Sequence, residues 1–230
     1  MELIQRGKVK SIYDNQDGTV RIEFRDDITA GDGAKHDLLE GKGSLSNAIN
    51  EIFFKKLKSE SIPNHYLEKI SEKAFRAVKL QIFPLEVVVR NFSAGSFCKR
   101  YGVEKGRKLE PPVLEFFLKN DELHDPLICS RTVFALKLVT LEELEKMEKL
   151  ALSVNQVLYS FTEKCGLILA DFKIEIGKDR DALMVADEIT PDTCRFWDLQ
   201  TGDSLDKDIY RHSLGDPLVA YKEVLRRISA

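Results

Sequence analysis

The stretch "ADFKIEIG", residues 170–177, sets Ala170, Phe172, Ile174 and Ile176 against Asp171, Lys173 and Glu175 in strict alternation. Successive strand residues point to opposite faces, so the pattern predicts a β-strand with its apolar face on a core. The other face stacks two acids and a base at a spacing of two. Such a face is either the solvated side of an antiparallel sheet or the floor of a charged site. A turn, "GKDRD" (177–181), and a second apolar run, "MVADEI" (184–189), follow and make a hairpin. That hairpin lays Asp187 across from the middle of the first strand, on the side of Glu175 and near Lys173. Two carboxylates suit Mg²⁺, a hard cation that takes one or two of them and completes its shell with phosphate oxygens.

Working outward, two more clusters gather charge. In "VVVRNFSAGS" (87–96), Arg90 ends a β-branched strand and small residues follow it. Small residues let the backbone approach an anion, so Gly95 is expected to approach a ligand and Ser96 to offer a hydroxyl. In "ITPDTCRFWD" (189–198), Pro191 and Asp192 form a tight turn beside Arg195, a residue type suited to bidentate anion contacts. "GKVKSIY" (7–13) places Lys8 and Lys10 on one face of a first strand.

The remaining pattern is mixed. "GKVKSIYD" and "TVRIEFRDD" (19–27) flank the turn "NQDGT"; a glycine-rich polar segment precedes a helix in "SLSNAINEIFFKKLKSE" (44–60), capped by Ser44 or Ser46. Strands are expected within 61–70 and 74–83, with Pro84 as a break. Thr140 and Glu143 form a capping box for a helix that Gly166 ends, and a last amphipathic helix covers 216–228. Hairpins and helices without βαβ alternation predict an α+β fold, divided into a β-rich lobe, 1–82, and a larger α+β lobe, 83–230.

Totals exclude several classes. The 230 residues carry 35 Lys+Arg against 38 Asp+Glu, for a net charge of −3, which argues against a nucleic-acid binder. No apolar run reaches the roughly 18 residues of a membrane span. The first residues lack the apolar core of a secretion signal, and the cysteines at 98, 129, 165 and 194 form no C-x-x-C pair. Together these predict a cytoplasmic protein with reduced thiols. The dinucleotide and Walker signatures are absent, so any nucleotide is held by another device.

The segments "FPLEVVVRNFSAGS" (83–96) and "LADFKIEIG" (169–177) resemble the two signatures of the phosphoribosylaminoimidazole-succinocarboxamide synthase (SAICAR synthetase) family. "GKVKSIY", "EGKGSLSN" (40–47), "KNDELHDPLI" (119–128), "ADEITPDTCRFWD" (186–198) and "DKDIYR" (206–211) extend the resemblance, in order, over nearly the whole chain. The resemblance implies a kinase-like or ATP-grasp-like fold with nucleotide between the lobes. It implies ATP-driven condensation of L-aspartate with carboxyaminoimidazole ribonucleotide (CAIR) in purine synthesis, with Mg²⁺ as cofactor and a homodimer as the assembly. By position, Lys8, Lys10, Lys173 and Glu175 resemble ATP-binding residues, and Glu175 and Asp187 the metal ligands. Arg90, Ser96, Arg195 and Arg211 resemble substrate-binding residues. Lys173 resembles a catalytic residue, and Asp171 is a candidate base. Cys194 is expected to pack rather than react, and segment 29–43 to cover the nucleotide. A small-molecule kinase and a non-catalytic nucleotide binder are the competing readings.

Overall fold

Period-two alternation builds two antiparallel sheets, and amphipathic helices seal them. The computed structural model describes residues 1–31 and 33–230. The chain opens with β1 (Glu2–Arg6), β2 (Lys10–Asp14), β3 (Thr19–Phe24), the small hairpin β4 (Asp27–Ala30) and β5 (Lys35–Leu38), and helix α1 (Lys42–Ser59). β6 (Tyr66–Ser71) and β7 (Ala74–Val78) complete a five-stranded sheet of order β1-β2-β3-β7-β6.

The second half contains β8 (Gln81–Phe92), α2 (Gly95–Tyr101), β9 (Lys108–Leu118), β10 (Leu127–Ile128), α3 (Ser130–Ala135) and α4 (Leu141–Lys164). β11 (Leu167–Asp179), β12 (Ala182–Ala186), β13 (Cys194–Asp198), α5 (Asp208–Arg211) and α6 (Pro217–Ile228) follow. Its six-stranded sheet has the order β10-β9-β8-β11-β12, and β13 also pairs with β11. β11 is thus a central strand, with β8 on one edge and β12 and β13 sharing the other.

That placement explains its sequence. Phe172, Ile174 and Ile176 are buried on the core face, where α4 presents Leu144, Met147, Ala151, Val154 and Leu158 at helical spacing. Ala170 departs from the expected alternation at a bulge between Leu169 and Asp171 and is buried against Ala94 and Trp197 instead. The α4 capping box forms as the sequence predicts, with Glu143 N–H donating to Thr140 Oγ1 at 3.2 Å. α1 packs between the sheets, burying Ile49, Phe53, Phe54 and Leu57, with Phe53 stacked on Phe196 at a centroid distance of 5.7 Å. The core therefore runs continuously from one sheet to the other.

Four local expectations need correction. The first strand breaks at residues 7–9, so Lys8 stands in a turn and only Lys10 lies on a strand. α1 starts two residues early and uses neither serine as a cap. Its N-cap is Gly41 at φ 88°, and Asp26, distant in sequence, accepts the Gly43 N–H at 2.9 Å. Pro84 does not break the chain but sits inside β8, at an irregularity in its pairing with β11. A proline is tolerated in a sheet where the ladder bulges. The β11–β12 turn is tighter than "GKDRD" suggests: Asp179 pairs with Ala182, leaving Arg180 and Asp181 as the loop.

Candidate active site

The ionisable face of β11 is the floor of two adjoining pockets, and sheet register decides which residues meet there. Asp171 stands opposite Arg90 on β8 and opposite Arg195 on β13, so three strands bring an acid and two arginines into one row. Four residues on, Glu175 stands opposite Glu86 on β8 and Ala186 on β12.

The first pocket, about 580 Å³, is cationic, with Arg90, Arg100, Lys173, Arg195, Lys207 and Arg211 on its walls. Arg90 donates to Asp171 at 2.7 Å through Nη1 and to Glu115 at 2.7 Å through Nε; Arg100 bonds the other Glu115 oxygen. Arg195 Nη1 reaches both Asp171 oxygens, at 2.9 and 3.0 Å, while its Nε donates to Asp208 at 2.9 Å. Arg211 donates to the other Asp208 oxygen at 2.6 Å. Burial works against the charge on Arg195, but Asp171 and Asp208 outweigh it and hold the guanidinium above its ordinary range. Burial likewise opposes the Asp208 charge, yet the two arginines bring it down to about 2. Ser96 Oγ accepts from Arg100 at 3.0 Å and lies 3.4 Å from Arg90 Nη2. Arginines held in fixed orientation by buried carboxylates are a preorganised receptor for phosphate or carboxylate.

Two expectations change here. Both Asp171 oxygens accept from guanidiniums, so this carboxylate orients two arginines rather than standing free to take a proton. Gly95, at φ +53°, makes room for Arg195 and not for a ligand. A Cβ there would lie 2.4 Å from Arg195 Nη2. Cys194 is buried, and burial pushes its thiol up, so it packs as expected.

The second pocket, about 440 Å³, lies between the sheets. Ile12, Val20, Ile22, Val78, Ile82 and Ala186 give it apolar walls, and Lys10, Lys119, Lys173, Glu175, Asp187 and Glu188 give it a charged end. Lys10 bonds both Asp187 and Glu188. Lys119 meets Glu175 at 2.5 Å, and Lys173 meets Glu86 at 2.5 Å. Lys8 is half-exposed at the rim, with Asp121 at 3.0 Å. Burial opposes the charge on Asp187, but Lys10 and Lys173 bring it down to about 2. Glu175 is pushed up, first by burial and then by Asp187. Lys173 loses some preference for charge to burial, and Glu86 and Asp187 more than restore it.

Glu175 and Asp187 thus lie close enough to repel, among lysines that neutralise them. Among the described residues no group of three His, Cys, Asp or Glu gathers into a complete cage. Two hard oxygen donors facing a pocket fit Mg²⁺, which uses such a pair when phosphate oxygens supply the rest.

Lys173 lines both pockets, as do Glu86, Asp125, Asp192 and Lys207. The Asp192 carboxylate is buried, bonded by Lys42 and by Tyr221 at 3.1 Å, with Lys207 at 3.4 Å. Sequence reasoning assigned no role to Glu86, Arg100, Glu115, Lys119, Glu188 or Lys207. Lys119 and Lys207 lie inside segments already singled out, and Glu86 shows as a lone acid in the run "LEVVVR". Lys42 lies inside the singled-out segment 40–47, but its partner Asp192 is 150 residues away; Glu115 carries no local signal, because its partner Arg90 is 25 residues away.

A family model for SAICAR synthetase matches residues 3–228. The phosphoribosylaminoimidazole-succinocarboxamide synthase of Methanocaldococcus jannaschii is 50% identical over 223 residues, covering 96% of this chain and 92% of that protein. The crystal structure of the enzyme of that name from Ehrlichia chaffeensis superposes with a TM-score of 0.96 at 38% identity, covering 100% of this chain and 99% of the other. A SAICAR synthetase in complex with ADP gives 0.95 at 44% identity, covering 97% of this chain and 96% of that one. With its fold, its paired pockets and matches along almost its full length, the chain belongs to the SAICAR synthetase family.

Proposed function

We propose that the two pockets divide one ligation between them, with the phosphates of ATP at the charged end of the inter-sheet pocket and CAIR in the arginine-lined pocket. The reaction is that of the family, ATP-dependent formation of SAICAR from CAIR and L-aspartate. The observation that carries the division of labour is Lys173, the one basic residue of the β11 face, which lines both pockets from the middle of their shared floor. One residue face, 170–177, thereby runs from anion receptor to nucleotide site, with residues 1–82 read as the nucleotide lobe and 83–230 as the lobe of substrate and metal.

A carboxylate and an ammonium do not condense at neutral pH unless the carboxylate gains a leaving group. In this reading the CAIR carboxylate attacks the γ-phosphorus, ADP leaves, and the aspartate amine displaces phosphate from the resulting acyl phosphate. Charge gathers at each step, so positioning and electrostatics supply the catalysis. Arg90, Arg195 and Arg211 bind and orient the ribonucleotide anion, with Ser96 as a hydroxyl ligand beside them. Lys173 faces the transferring phosphoryl group, and Lys8 and Lys10 face the nucleotide phosphates. Glu175 and Asp187 would hold Mg²⁺, which when bound offsets repulsion between the two anions. The apolar walls take the base, consistent with the relative solved with ADP.

The same reading makes the protein a cytoplasmic homodimer. Four free cysteines suit a reducing compartment, and exposed Tyr101, Leu127 and Leu152 along one groove suit self-association, which light scattering tests. No helix among the described residues is long and apolar enough to cross a membrane. The decisive assay follows ADP release with each substrate omitted in turn, alongside mass detection of product. ADP that needs both aspartate and CAIR, with a succinocarboxamide formed, supports the ligase. ADP with one acceptor and a phosphorylated product supports the kinase and removes the role given to Arg90 and Arg195.

A further inference from the structure

β12 ends at Ala186, which pairs with Glu175 and so shares its face of the sheet. Were the strand to continue, alternation would turn Asp187 to the opposite face, among Ile174 and Ile176. It does not continue. Asp187 has φ +67°, roughly half a turn about N–Cα from the extended backbone of a strand, and its carboxylate is on the pocket side, where it meets Lys10. A single left-handed residue therefore decides whether Asp187 serves the site. Asp is one of the few non-glycine residues that visit that conformation, and the surroundings must still offset its cost.

Three side chains surround the peptide groups that follow. His65 Nε2 lies 3.1 Å from the Asp187 carbonyl oxygen; Asn50 Oδ1 accepts the Ile189 N–H at 2.9 Å; Thr193 Oγ1 donates to the Glu188 carbonyl at 3.1 Å. A carbonyl only accepts, so Nε2 carries the proton of the first bond. His65 is itself fixed on every side. Its N–H donates to Val185 O on β12 at 2.9 Å, and its carbonyl accepts from Val78 N on β7 at 2.8 Å. Its ring packs against Phe54 and Phe75, with centroids at 5.2 and 5.7 Å. The residue thus bridges the two sheets at the point where Asp187 turns.

We propose that His65 is a positioning residue that holds the left-handed turn at Asp187 and so aims the carboxylate into the nucleotide pocket. The proposal rests on the reading of Asp187 as a metal ligand. The experiment measures ADP affinity by calorimetry in EDTA and in Mg²⁺, and takes the ratio as its readout. The wild-type ratio is expected to be about tenfold or more, and Asp187→Asn to bring it near one. His65→Leu should lose most of the ratio while its affinity in EDTA shows that the pocket still folds. His65→Gln, which retains an amide donor near the Nε2 position, should keep it. Should His65→Leu fail to bind ADP in EDTA, His65→Gln and Asn50→Ala carry the test: Gln retaining the ratio and Ala lowering it supports the proposal, and any other pattern overturns it. If both His65 variants keep the ratio, or both lose it, the donor is not what matters and the proposal fails. A wild-type affinity indifferent to Mg²⁺ instead overturns the metal assignment, and the positioning role with it.

Discussion

Replacing Gly95 by alanine should damage the anion receptor without touching any residue that lines it. Gly95 opens α2 at φ +53°, and an added Cβ would lie 2.4 Å from Nη2 and 2.8 Å from Cζ of Arg195. The tip of an arginine usually swings aside at little cost. Here it is pinned by Asp171 at 2.9 and 3.0 Å and by Asp208 at 2.9 Å, and moving it breaks those bonds in a buried setting. Gly102 supplies the control at the other end of the same helix, since its φ is +64° but nothing lies within 4 Å of its Cβ position. Either alanine costs about 1–2 kcal/mol for a left-handed conformation. Gly95→Ala alone also forfeits charge-assisted hydrogen bonds worth about 1.5–3 kcal/mol each.

A difference of about 3 kcal/mol in stability between the two variants follows. Urea unfolding and steady-state kinetics on both proteins check it. Gly102→Ala should lose about 1–2 kcal/mol of stability and keep its KM for CAIR. Gly95→Ala should lose about 3 kcal/mol more and raise that KM, with the KM for ATP little changed. Equal behaviour of the two variants would refute the reasoning, because Gly95 would then be a helix-start glycine and nothing else.

Asp187→Asn removes one of two hard oxygen anions and should lower kcat by on the order of a thousandfold, measured as ADP release at saturating substrates. Asp206 is buried, and burial followed by Asp208 pushes it up to about 7. The folded chain then holds a proton that the unfolded chain releases near pH 4, so this group favours folding below pH 4 and loses that contribution as pH rises through 7. The change is about 4 kcal/mol. Asp206→Asn, which keeps an oxygen for the Asp208 N–H, should flatten stability between pH 4 and 7 in urea titrations and exceed the parent above pH 7. Thr140→Ala should cost about 1 kcal/mol in the same titration by removing the α4 cap, with no change in KM.

How much of this was legible in sequence depended on the distance over which each feature is determined. The α+β class, the capping box of α4 and the charged face of β11 follow from periods of 3.6 and 2, which neighbours in the chain set by themselves. Pro84 and the α1 cap were misread for the converse reason. A bulge against β11 shelters the proline, and Asp26, seventeen residues from Gly43, replaces the serine caps. Gly95 reads from sequence as a place where the backbone approaches a ligand, but the group that fills the space is Arg195, a hundred residues on, which the sequence does not say.

The two acids proposed as metal ligands make the sharper case. Glu175 faces the pocket because of its place in an alternating strand, and the strand is local. Asp187 faces the same pocket because alternation fails at that residue, and the cause lies with His65 and Asn50, 122 and 139 residues from their partners. Both side chains were expected on one side, from hairpin register, and they are there. Yet register alone sends Asp187 the wrong way, since Ala186 already occupies the face opposite Glu175. The site is therefore assembled from one ligand that secondary structure delivers and one that tertiary contacts must deliver. The second is the more fragile of the two. Substitutions far from the pocket, at the junction of the two sheets, should weaken metal-dependent binding through Asp187 before they disturb the arginine receptor, whose carboxylate Asp171 needs only the pairing of β8, β11 and β13.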